Sequence, residues 1–345
     1  MIFEQIVDGG CQSYILGCEN TRSSVIIDPS QHHLDHYLGL VTREGLRVRY
    51  VIDTHTHADH FSASRELGKA LHAPVVMHRS SPAPHADFRI VDGDILRVGD
   101  IRLRALHTPG HTRDSLCFAT DDRVFTGDTL LIGGTGRTDL PTGDPEALFD
   151  SLFGTLLKLP PETLVYPAHD YKGRSHSTIA TEIESNPRLQ MRERAAFVDM
   201  MQHLNLAAPT HLTEALRTNM SGGKTVEQLL ANASAAISFI SMQDLAARVA
   251  SGDLGMIVLD VREKDAFQAG HVPGAAHLPR GQLELRVNKD LPDPTRRILV
   301  ICEFGYISTL AAATLRELGF TQAIALDGGM KGWREAGLPI EGSPA

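Results

Sequence analysis

The chain has 345 residues, of which 42% are hydrophobic and 22% are charged, and its 33 lysines and arginines against 42 aspartates and glutamates give a formal net charge of -9. This composition excludes a disordered or low-complexity chain, and an acidic balance without a basic stripe argues against nucleic acid as a partner. At about 150 residues per domain, the length predicts roughly two domains.

The apolar segments and the cysteines bear on location. No apolar run approaches the about 18 residues of a membrane span, and the N-terminus lacks the basic region of a signal peptide. Four cysteines without a Cys-x-x-Cys pair do not indicate a disulfide framework. We therefore expect a cytoplasmic protein with reduced thiols and no membrane partner. Its oligomeric state stays open, a homo-oligomer included.

Short β-rich runs separated by turn residues dominate the first half of the chain, and segments of helical spacing interrupt them. Strands are predicted at residues 2–7, 25–28, 50–53, 75–78, 101–106, 116–119 and 124–126, and helices around 34–42, 62–71 and 145–157. Many strands with helices between them indicate mixed α and β structure, with stacked sheets covered by helices.

A polar helical stretch through residue 204 and a weakly patterned region separate this half from a second pattern. Helices are predicted at 242–250, 264–269 and 309–318, and strands at 256–260, 298–302 and 323–326. This alternation is typical of an α/β domain with a parallel sheet. We place the boundary near residue 237, which divides the chain into domains 1–236 and 237–345.

Histidine is the unusual residue, because 13 of the 17 histidines precede residue 177. Residues 54–60 read T-H-T-H-A-D-H directly after a predicted strand. Imidazoles and a carboxylate crowded at a strand end supply N and O ligands suited to zinc, iron or manganese. His111, Asp128 and His169 follow later strands or apolar runs, and each is a weak signal alone. Together these residues predict one metal centre.

With these residues in this order, residues 1 to about 236 resemble the metallo-β-lactamase superfamily. The resemblance implies an αββα sandwich. Dinuclear zinc members of the superfamily bind each zinc with its own set of ligands, and an aspartate bridges the two ions. The resemblance carries this pattern over to the present chain. The first set would be His55, His57 and His111, the second Asp59, His60 and His169, and the bridge Asp128.

Within that superfamily the chain is similar to the persulfide dioxygenases, on residues 54–60, 127–139, 166–171 and 186–189. This resemblance implies a single Fe(II) in the N-terminal domain, bound by His55, His111 and Asp128. The remaining metal-site residues would surround these ligands, namely His57, Asp59, His60 and His169. Two imidazoles and one carboxylate leave three coordination positions free for a sulfur ligand and O2.

The reaction implied by this resemblance is the oxidation of glutathione persulfide with O2 to sulfite and glutathione. Arg137 and Tyr171 match positions near the glutathione side in relatives; alternatively, Arg137 pairs with Asp139 and Tyr171 packs at the surface. A dinuclear zinc hydrolase of glutathione thioesters would use the same seven metal-site residues and is the alternative function.

Residues 237–345 resemble a rhodanese domain, on residues 259–263, 270–275 and 326–329 and on Cys302 after a predicted strand. The resemblance implies that Cys302 is a catalytic sulfur carrier acting on thiosulfate, sulfite or persulfide. A cysteine at a strand end before a helix faces backbone N–H groups, which lower the thiol pKa.

One departure concerns the loop after this cysteine. Rhodanese loops commonly run C-x-x-G-x-R or K, whereas residues 302–308 read C-E-F-G-Y-I-S and place Ile307 at the basic position. Glu303 beside the thiol adds a negative charge, so poor thiosulfate turnover is expected. A non-catalytic docking or sulfur-sensing module is the alternative. The other cysteines, Cys11, Cys18 and Cys117, are expected to pack in the core.

Overall fold

A computed structural model describes residues 1–204, 206 and 212–342, and the chain forms two compact units, residues 1–223 and 224–345. The boundary near residue 237 stays a prediction. The compact units divide one helix earlier, because the helix Val226–Ala236 packs against the helix Tyr306–Glu317 of the second unit.

The first unit contains two six-stranded sheets and a two-stranded ribbon. The strands of the first sheet are β1 (Ile2–Asp8), β2 (Cys11–Gly17), β3 (Ser23–Ile27), β4 (Arg47–Ile52), β5 (Val75–His78) and β6 (Phe88–Ile90), in that spatial order. The following strands are β7 (Ile95–Val98), β8 (Ile101–His107), β9 (Leu116–Ala119), β10 (Arg123–Gly127), β11 (Leu130–Leu131), β12 (Gly134–Thr135), β13 (Leu164–Pro167) and β14 (Ser177–Thr178). The second sheet has the order β14-β13-β10-β9-β8-β7, and β11 with β12 forms the ribbon.

The described residues of this unit form six α-helices. They are α1 (Leu34–Arg43), α2 (Ser64–Leu71), α3 (Pro145–Phe149), α4 (Ile179–Ser185), α5 (Arg194–Gln202) and α6 (Leu212–Ser221). A π-helix, Asp150–Thr155, continues directly from α3, so the helix predicted around 145–157 has a wider second half than an α-helix.

Alternating side chains place three apolar layers in the first unit, because successive residues of a strand point to opposite faces. Tyr14 and Leu16 of β2 lie between the two sheets, together with Phe118 and Phe125 from the second sheet. Ile15 faces the other way and packs beneath α1 and α2. A third cluster lies between the second sheet and α3 to α5. These layers confirm the predicted αββα sandwich.

The second unit is a five-stranded parallel sheet covered by helices. Its strands are β15 (Ser238–Ile240), β16 (Ile257–Asp260), β17 (Ala276–His277), β18 (Ile298–Ile301) and β19 (Ala323–Leu326), in the order β15-β19-β18-β16-β17. Its helices are α7 (Val226–Ala236), α8 (Met242–Ser251), α9 (Lys264–Ala269), α10 (Leu283–Asp290), α11 (Tyr306–Glu317) and α12 (Gly329–Glu335). Two apolar clusters, one on each face of the sheet, confirm the predicted α/β class.

Among the described residues, none of the helices combines the length and the apolar character needed to cross a membrane.

Candidate metal centre and sulfur-carrier cysteine

The predicted metal-site residues lie on loops that follow strands of both sheets. Residues 54–60 follow β4, and His111, Asp128 and His169 follow β8, β10 and β13. Asn219 of α6 fixes the first loop, since its side-chain amide donates to the carbonyl oxygens of His57 and His60 at 2.9 Å each. The structure therefore brings residues from across the first unit to one edge of the sandwich.

Gly127, at the end of β10, permits this close approach. Its φ of +51° lies in the left-handed region, and a Cβ atom there would lie 2.6 Å from Thr54 Oγ1. A side chain at position 127 would thus displace the residue that precedes His55. Asp128 keeps its place beside the histidine loop because its neighbour has no side chain.

His55, His111 and Asp128 form a group whose ligand atoms all lie within 4.8 Å of one another. The His55 and His111 ring centroids are 4.9 Å apart, and His111 Nε2 lies 3.6 Å from Asp128 Oδ2. These are the three residues that the resemblance to persulfide dioxygenases assigned to a single iron.

Hydrogen bonds to the outer nitrogens aim the two imidazoles at this group. His111 donates from Nδ1 to the carbonyl oxygen of Arg137 at 2.8 Å. Thr54 donates its hydroxyl to Asp28 Oδ2 at 2.9 Å, which leaves Thr54 Oγ1 to accept from His55 Nδ1 at 3.0 Å. Each Nε2 atom then carries a lone pair, the form in which imidazole binds metals.

The donor set fits a metal ion, because one of its buried nitrogens is otherwise without a partner in the described part of the chain. His55 Nε2 is buried and has no hydrogen-bond partner among the described residues. Burial, together with the neighbouring His57 and His111, holds the pKa of His55 well below its usual range, so the ring is neutral. An unpartnered buried nitrogen is costly, and a metal ion bound with His111 and Asp128 would remove that cost.

His169 connects Asp128 of this group to a neighbouring carboxylate, Asp59, which His60 also contacts. His169 donates from Nδ1 to Asp128 Oδ1 at 2.6 Å and from Nε2 to Asp59 Oδ2 at 2.8 Å. His60 Nδ1 lies 3.0 Å from the same Asp59 oxygen. Burial opposes the charge on His60, but the charge of Asp59 outweighs it and raises the pKa of His60 to about 10. The pKa of Asp128 is lowered by His169 although burial alone would raise it.

His57 lies beside the His55 group and contacts Asp28 through one of its two ring nitrogens. Its Nε2 lies 3.2 Å from Asp28 Oδ1, and its ligand atom groups with those of Asp28 and Asp53. The ring centroids of His55 and His57 are 4.2 Å apart. His57 Nε2 is therefore engaged by a carboxylate, whereas His57 Nδ1 is buried without a hydrogen-bond partner among the described residues. Both nitrogens of His169 are engaged by carboxylates.

A cavity of about 620 Å³ opens over His111 and Asp128. Four cationic side chains line it, namely Arg137, Lys172, Arg174 and Arg188. Arg137 forms two 2.6 Å hydrogen bonds to Asp139 and also lines the cavity, so both predicted roles are compatible with its position. Tyr171 is 76% exposed, lines the cavity and stacks on His169 with ring centroids 5.8 Å apart.

The position of Cys11 differs from the predicted one. It was expected in the core, but it is only half-buried, lines the cavity and places Sγ 3.4 Å from His169 Nε2 and 3.5 Å from Asp59 Oδ2. Burial alone would raise the pKa of this thiol, but hydrogen bonds and charges of His169 and His60 lower it overall. No pattern in the sequence pointed to Cys11, because its contact with His169 spans 158 positions.

Arg188 is a second residue that sequence reasoning did not single out, although residues 186–189 carried part of the resemblance. It lines the cavity and donates to the carbonyl oxygen of Thr135 at 2.6 Å and to Thr135 Oγ1 at 2.9 Å. Burial lowers the pKa of Arg188. No carboxylate is paired with Arg188 among the described residues, so its positive charge faces the cavity.

Cys302 follows β18 and lies in a cradle made by the loop before α11. Its Sγ accepts hydrogen bonds from the backbone N–H groups of Gly305 and Ser308, each at 3.2 Å, and lies 3.3 Å from Ser308 Oγ. Gly305 has a φ of +92°, the left-handed conformation that lets the loop turn around the sulfur. Backbone donors in this arrangement stabilise an anionic sulfur.

Glu303 does not present a free charge to this thiol. Its carboxylate accepts a hydrogen bond from Arg262 Nη1 at 3.2 Å and a second one from Arg334. Burial alone would raise the pKa of Glu303, but Arg334 and Arg262 lower it overall. Glu303 therefore adds less negative charge beside Cys302 than its place in the sequence suggests, because arginines distant in the sequence pair with it. Poor thiosulfate turnover stays a prediction.

Comparisons with known proteins find relatives for both units. Residues 6–169 match the metallo-beta-lactamase superfamily, and residues 241–336 match the rhodanese-like domain. Over 214 residues, 61% of this chain and 84% of the relative, the chain is 40% identical to the mitochondrial persulfide dioxygenase ETHE1 of Bos taurus. The crystal structure of ETHE1 from Myxococcus xanthus has a TM-score of 0.63 at 43% identity, over 65% of this chain and all of the other. A probable hydroxyacylglutathione hydrolase of Schizosaccharomyces pombe is 28% identical over 61% of this chain and 93% of its own length.

Proposed function

The chain belongs to the persulfide dioxygenase family of the metallo-beta-lactamase superfamily, and from this membership we propose that its first unit oxidises glutathione persulfide with O2 to sulfite and glutathione. The proposed metal is one Fe(II), and the proposed ligands are His55, His111 and Asp128. When bound, Fe(II) would supply a site at which a thiolate sulfur and O2 meet.

One observation carries the ligand assignment. The buried and unpartnered Nε2 of His55 lies in a group with His111 and Asp128, whose ligand atoms are within 4.8 Å. Two histidines and one carboxylate are the ligand types of non-haem iron oxygenases. The hydrogen bonds from His55 Nδ1 to Thr54 and from His111 Nδ1 to Arg137 fix the tautomers, so both Nε2 atoms are free to bind a metal ion.

The side chains of the cavity suit a substrate with carboxylates at some distance from its reacting sulfur. Arg188 and Lys172 bring positive charge to the cavity wall, and glutathione carries two carboxylates that such groups bind through charge-assisted hydrogen bonds. Tyr171 covers His169 from the cavity side. We assign Arg137 and Tyr171 to substrate binding, as the resemblance implied, and add Arg188.

His169 holds two protons near the metal group. It donates to Asp128 from one nitrogen and to Asp59 from the other, and the two carboxylates raise its pKa well above the usual range against the effect of burial. In this proposal His169 keeps Asp128 anionic and fixes its orientation. Asp128 thus presents its second oxygen to the metal position.

The glutathione-thioester hydrolase is not favoured. The similarity to a hydroxyacylglutathione hydrolase is weaker, at 28% identity against 40% for the persulfide dioxygenase. The chain is also 43% identical to the ETHE1 of Myxococcus xanthus over the whole of that chain. Both comparisons point to the oxidative reaction.

We propose that the rhodanese-like unit transfers sulfane sulfur through Cys302. The backbone N–H groups of Gly305 and Ser308 at Sγ support this role, and the pairing of Glu303 with two arginines removes the charge that would oppose it. Persulfide is a substrate common to both units, so their fusion raises the effective concentration of a shared reactant. All four cysteines are free thiols, and we propose the cytoplasm as the location.

The test is oxygen consumption with glutathione persulfide, read together with metal content, on protein purified without air. We expect oxygen uptake that depends on the persulfide and about one iron per chain. Two zinc ions per chain with thioester hydrolysis and no oxygen uptake would overturn the proposal.

A further inference from the structure

The loop around Cys302 presents an apolar surface. Cys302 itself is 2% exposed, whereas Phe304, Tyr306 and Ile307 of the same loop are 58%, 65% and 51% exposed. Single exposed apolar side chains are common, but a cluster of them beside a reactive group indicates a contact surface for a ligand. We name Phe304, Tyr306 and Ile307 the apolar rim.

The cations that contact this loop are engaged by carboxylates. Arg262 donates to Glu303 at 3.2 Å and to Asp260 at 2.7 Å, and Arg334 donates to Glu303 as well. Lys331 Nζ lies 5.9 Å from the Phe304 ring centroid and 3.9 Å from Glu335 Oε1. Within the described part of the chain, a sulfur donor at the rim would therefore contact apolar side chains rather than an unpaired positive charge.

We propose that Cys302 is loaded by organic persulfides in preference to thiosulfate; this inference rests on the proposed sulfur-carrier function of Cys302 and names its donor. The Cys302 thiolate attacks the outer sulfur of R–S–SH. A new S–S bond forms on Cys302 while the S–S bond of the donor breaks, and its electron pair leaves with R–S⁻, which takes a proton from water. The sulfur atom keeps its oxidation level, so no oxidant or reductant is consumed.

The preference follows from how each donor fits the rim. Thiosulfate is a small dianion, and the sulfite that leaves it is also a dianion, so binding it away from water requires a cation. An organic persulfide carries its carbon chain next to the departing sulfur, and apolar side chains gain free energy when such carbon covers them. The backbone N–H groups at Sγ stabilise the Cys302 thiolate equally whichever sulfur donor is bound. The apolar rim therefore decides between thiosulfate and an organic persulfide.

Ile307 is the residue at which this preference can be reversed. It occupies the position that is basic in the common rhodanese loop pattern, and its side chain is half exposed in the first turn of α11. Replacing it with lysine adds a charge to the rim without removing a buried side chain. Leu318, 41% exposed at the other end of α11, offers the matched control.

The experiment measures the rate at which Cys302 gains one sulfur atom in the full chain, by mass spectrometry after rapid alkylation. Glutathione persulfide and thiosulfate are compared at equal concentration without oxygen, which stops the dioxygenase reaction, and Cys302→Ser gives the background. We expect wild-type loading to be about tenfold or more faster from the persulfide, and Ile307→Lys to shift the ratio of rates toward thiosulfate by about tenfold, the effect of one added ion pair at the surface. Leu318→Lys should keep the wild-type ratio.

Wild-type loading that is equal or faster from thiosulfate overturns the donor preference and leaves the sulfur-carrier role of Cys302 standing. An unchanged ratio in Ile307→Lys, or the same shift in Leu318→Lys, also overturns it, because the rim would then not decide the donor. If neither donor loads Cys302, the sulfur-carrier function itself is wrong.

Discussion

His111 Nε2 lies 3.6 Å from Asp128 Oδ2, although the strands that precede these residues are separated by β9 in the sheet. His55 reaches the same point from a strand of the other sheet. A metal ion at this position would therefore join loops from both layers of the sandwich, and the site depends on the register of the two sheets as much as on the ligands themselves.

Removing either ligand should eliminate iron. We expect His111→Ala and Asp128→Ala to lose bound iron and persulfide-dependent oxygen uptake, because the remaining pair of ligands cannot hold Fe(II) in place. Metal analysis and an oxygen electrode measure both effects. Cys302→Ser is the control, since it lies in the second unit and should keep iron and oxygen uptake. Full iron content in Asp128→Ala would contradict the ligand assignment.

Arg188 should affect substrate binding more than chemistry. For Arg188→Ala we expect KM for glutathione persulfide to rise about tenfold with a smaller change in kcat, as for loss of one charge-assisted hydrogen bond. Iron content should stay at the wild-type level, and Arg188→Lys should restore part of the affinity. Arg192→Ala removes an exposed arginine of the same segment for comparison. A fall in kcat and iron without a change in KM would assign Arg188 a structural role instead.

Gly127 should not tolerate a side chain. Gly127→Ala places a Cβ atom 2.6 Å from Thr54 Oγ1 at a φ of +51°, so we expect a loss of about 1–3 kcal/mol in the free energy of unfolding and a lower iron content. Chemical denaturation followed by circular dichroism measures the first effect. Gly154→Ala is the control, because a Cβ atom there meets nothing within 4 Å. Equal stability of the two variants would show that Thr54 can move without cost.

Acid should destabilise the fold through His78. Burial and the neighbouring His107, whose ring stacks on it at 3.9 Å, lower the pKa of His78 from 6.5 to about 4. Between these two values the unfolded chain binds a proton that the folded chain refuses, so the free energy of unfolding decreases as the pH falls from 6.5 to 4. His78→Gln should reduce this decrease, measured by denaturation of both proteins across that range. If the free energies of unfolding of the two proteins decreased in parallel over this pH range, His78 would not be the cause of the acid destabilisation.

Local patterns were sufficient for many elements of the fold. The strands Val75–His78, Leu116–Ala119 and Ala323–Leu326 and the helix Lys264–Ala269 have the bounds that the sequence predicts, because each is an apolar or periodic run between turn residues. The strand Cys11–Gly17 was not predicted, since it opens with polar residues that are buried through contacts with residues far away in the sequence, such as those of Gln12 with Ala168 and of Ser13 with Tyr37.

The sequence predicted the site only where its residues form a recognisable motif or follow one another in the order known from a family. Residues 54–60 identify a metal loop by themselves, and the grouping of His55 with His111 and Asp128 came from a resemblance. Charge pairs between residues that are far apart in the sequence could not be predicted. Glu303 is neutralised in part by Arg334, 31 positions away, and no property of the loop sequence reveals that pairing.

Arg137 has two separate contacts in the first unit, one through its backbone and one through its side chain. Its carbonyl oxygen accepts the Nδ1 hydrogen of His111 at 2.8 Å, while its side chain lines the cavity. The backbone of this residue therefore orients a proposed metal ligand, while its side chain forms part of the cavity wall. The orientation of His111 and the shape of the cavity thus depend on the same short segment of the chain, and a change that moves the backbone at position 137 would alter both.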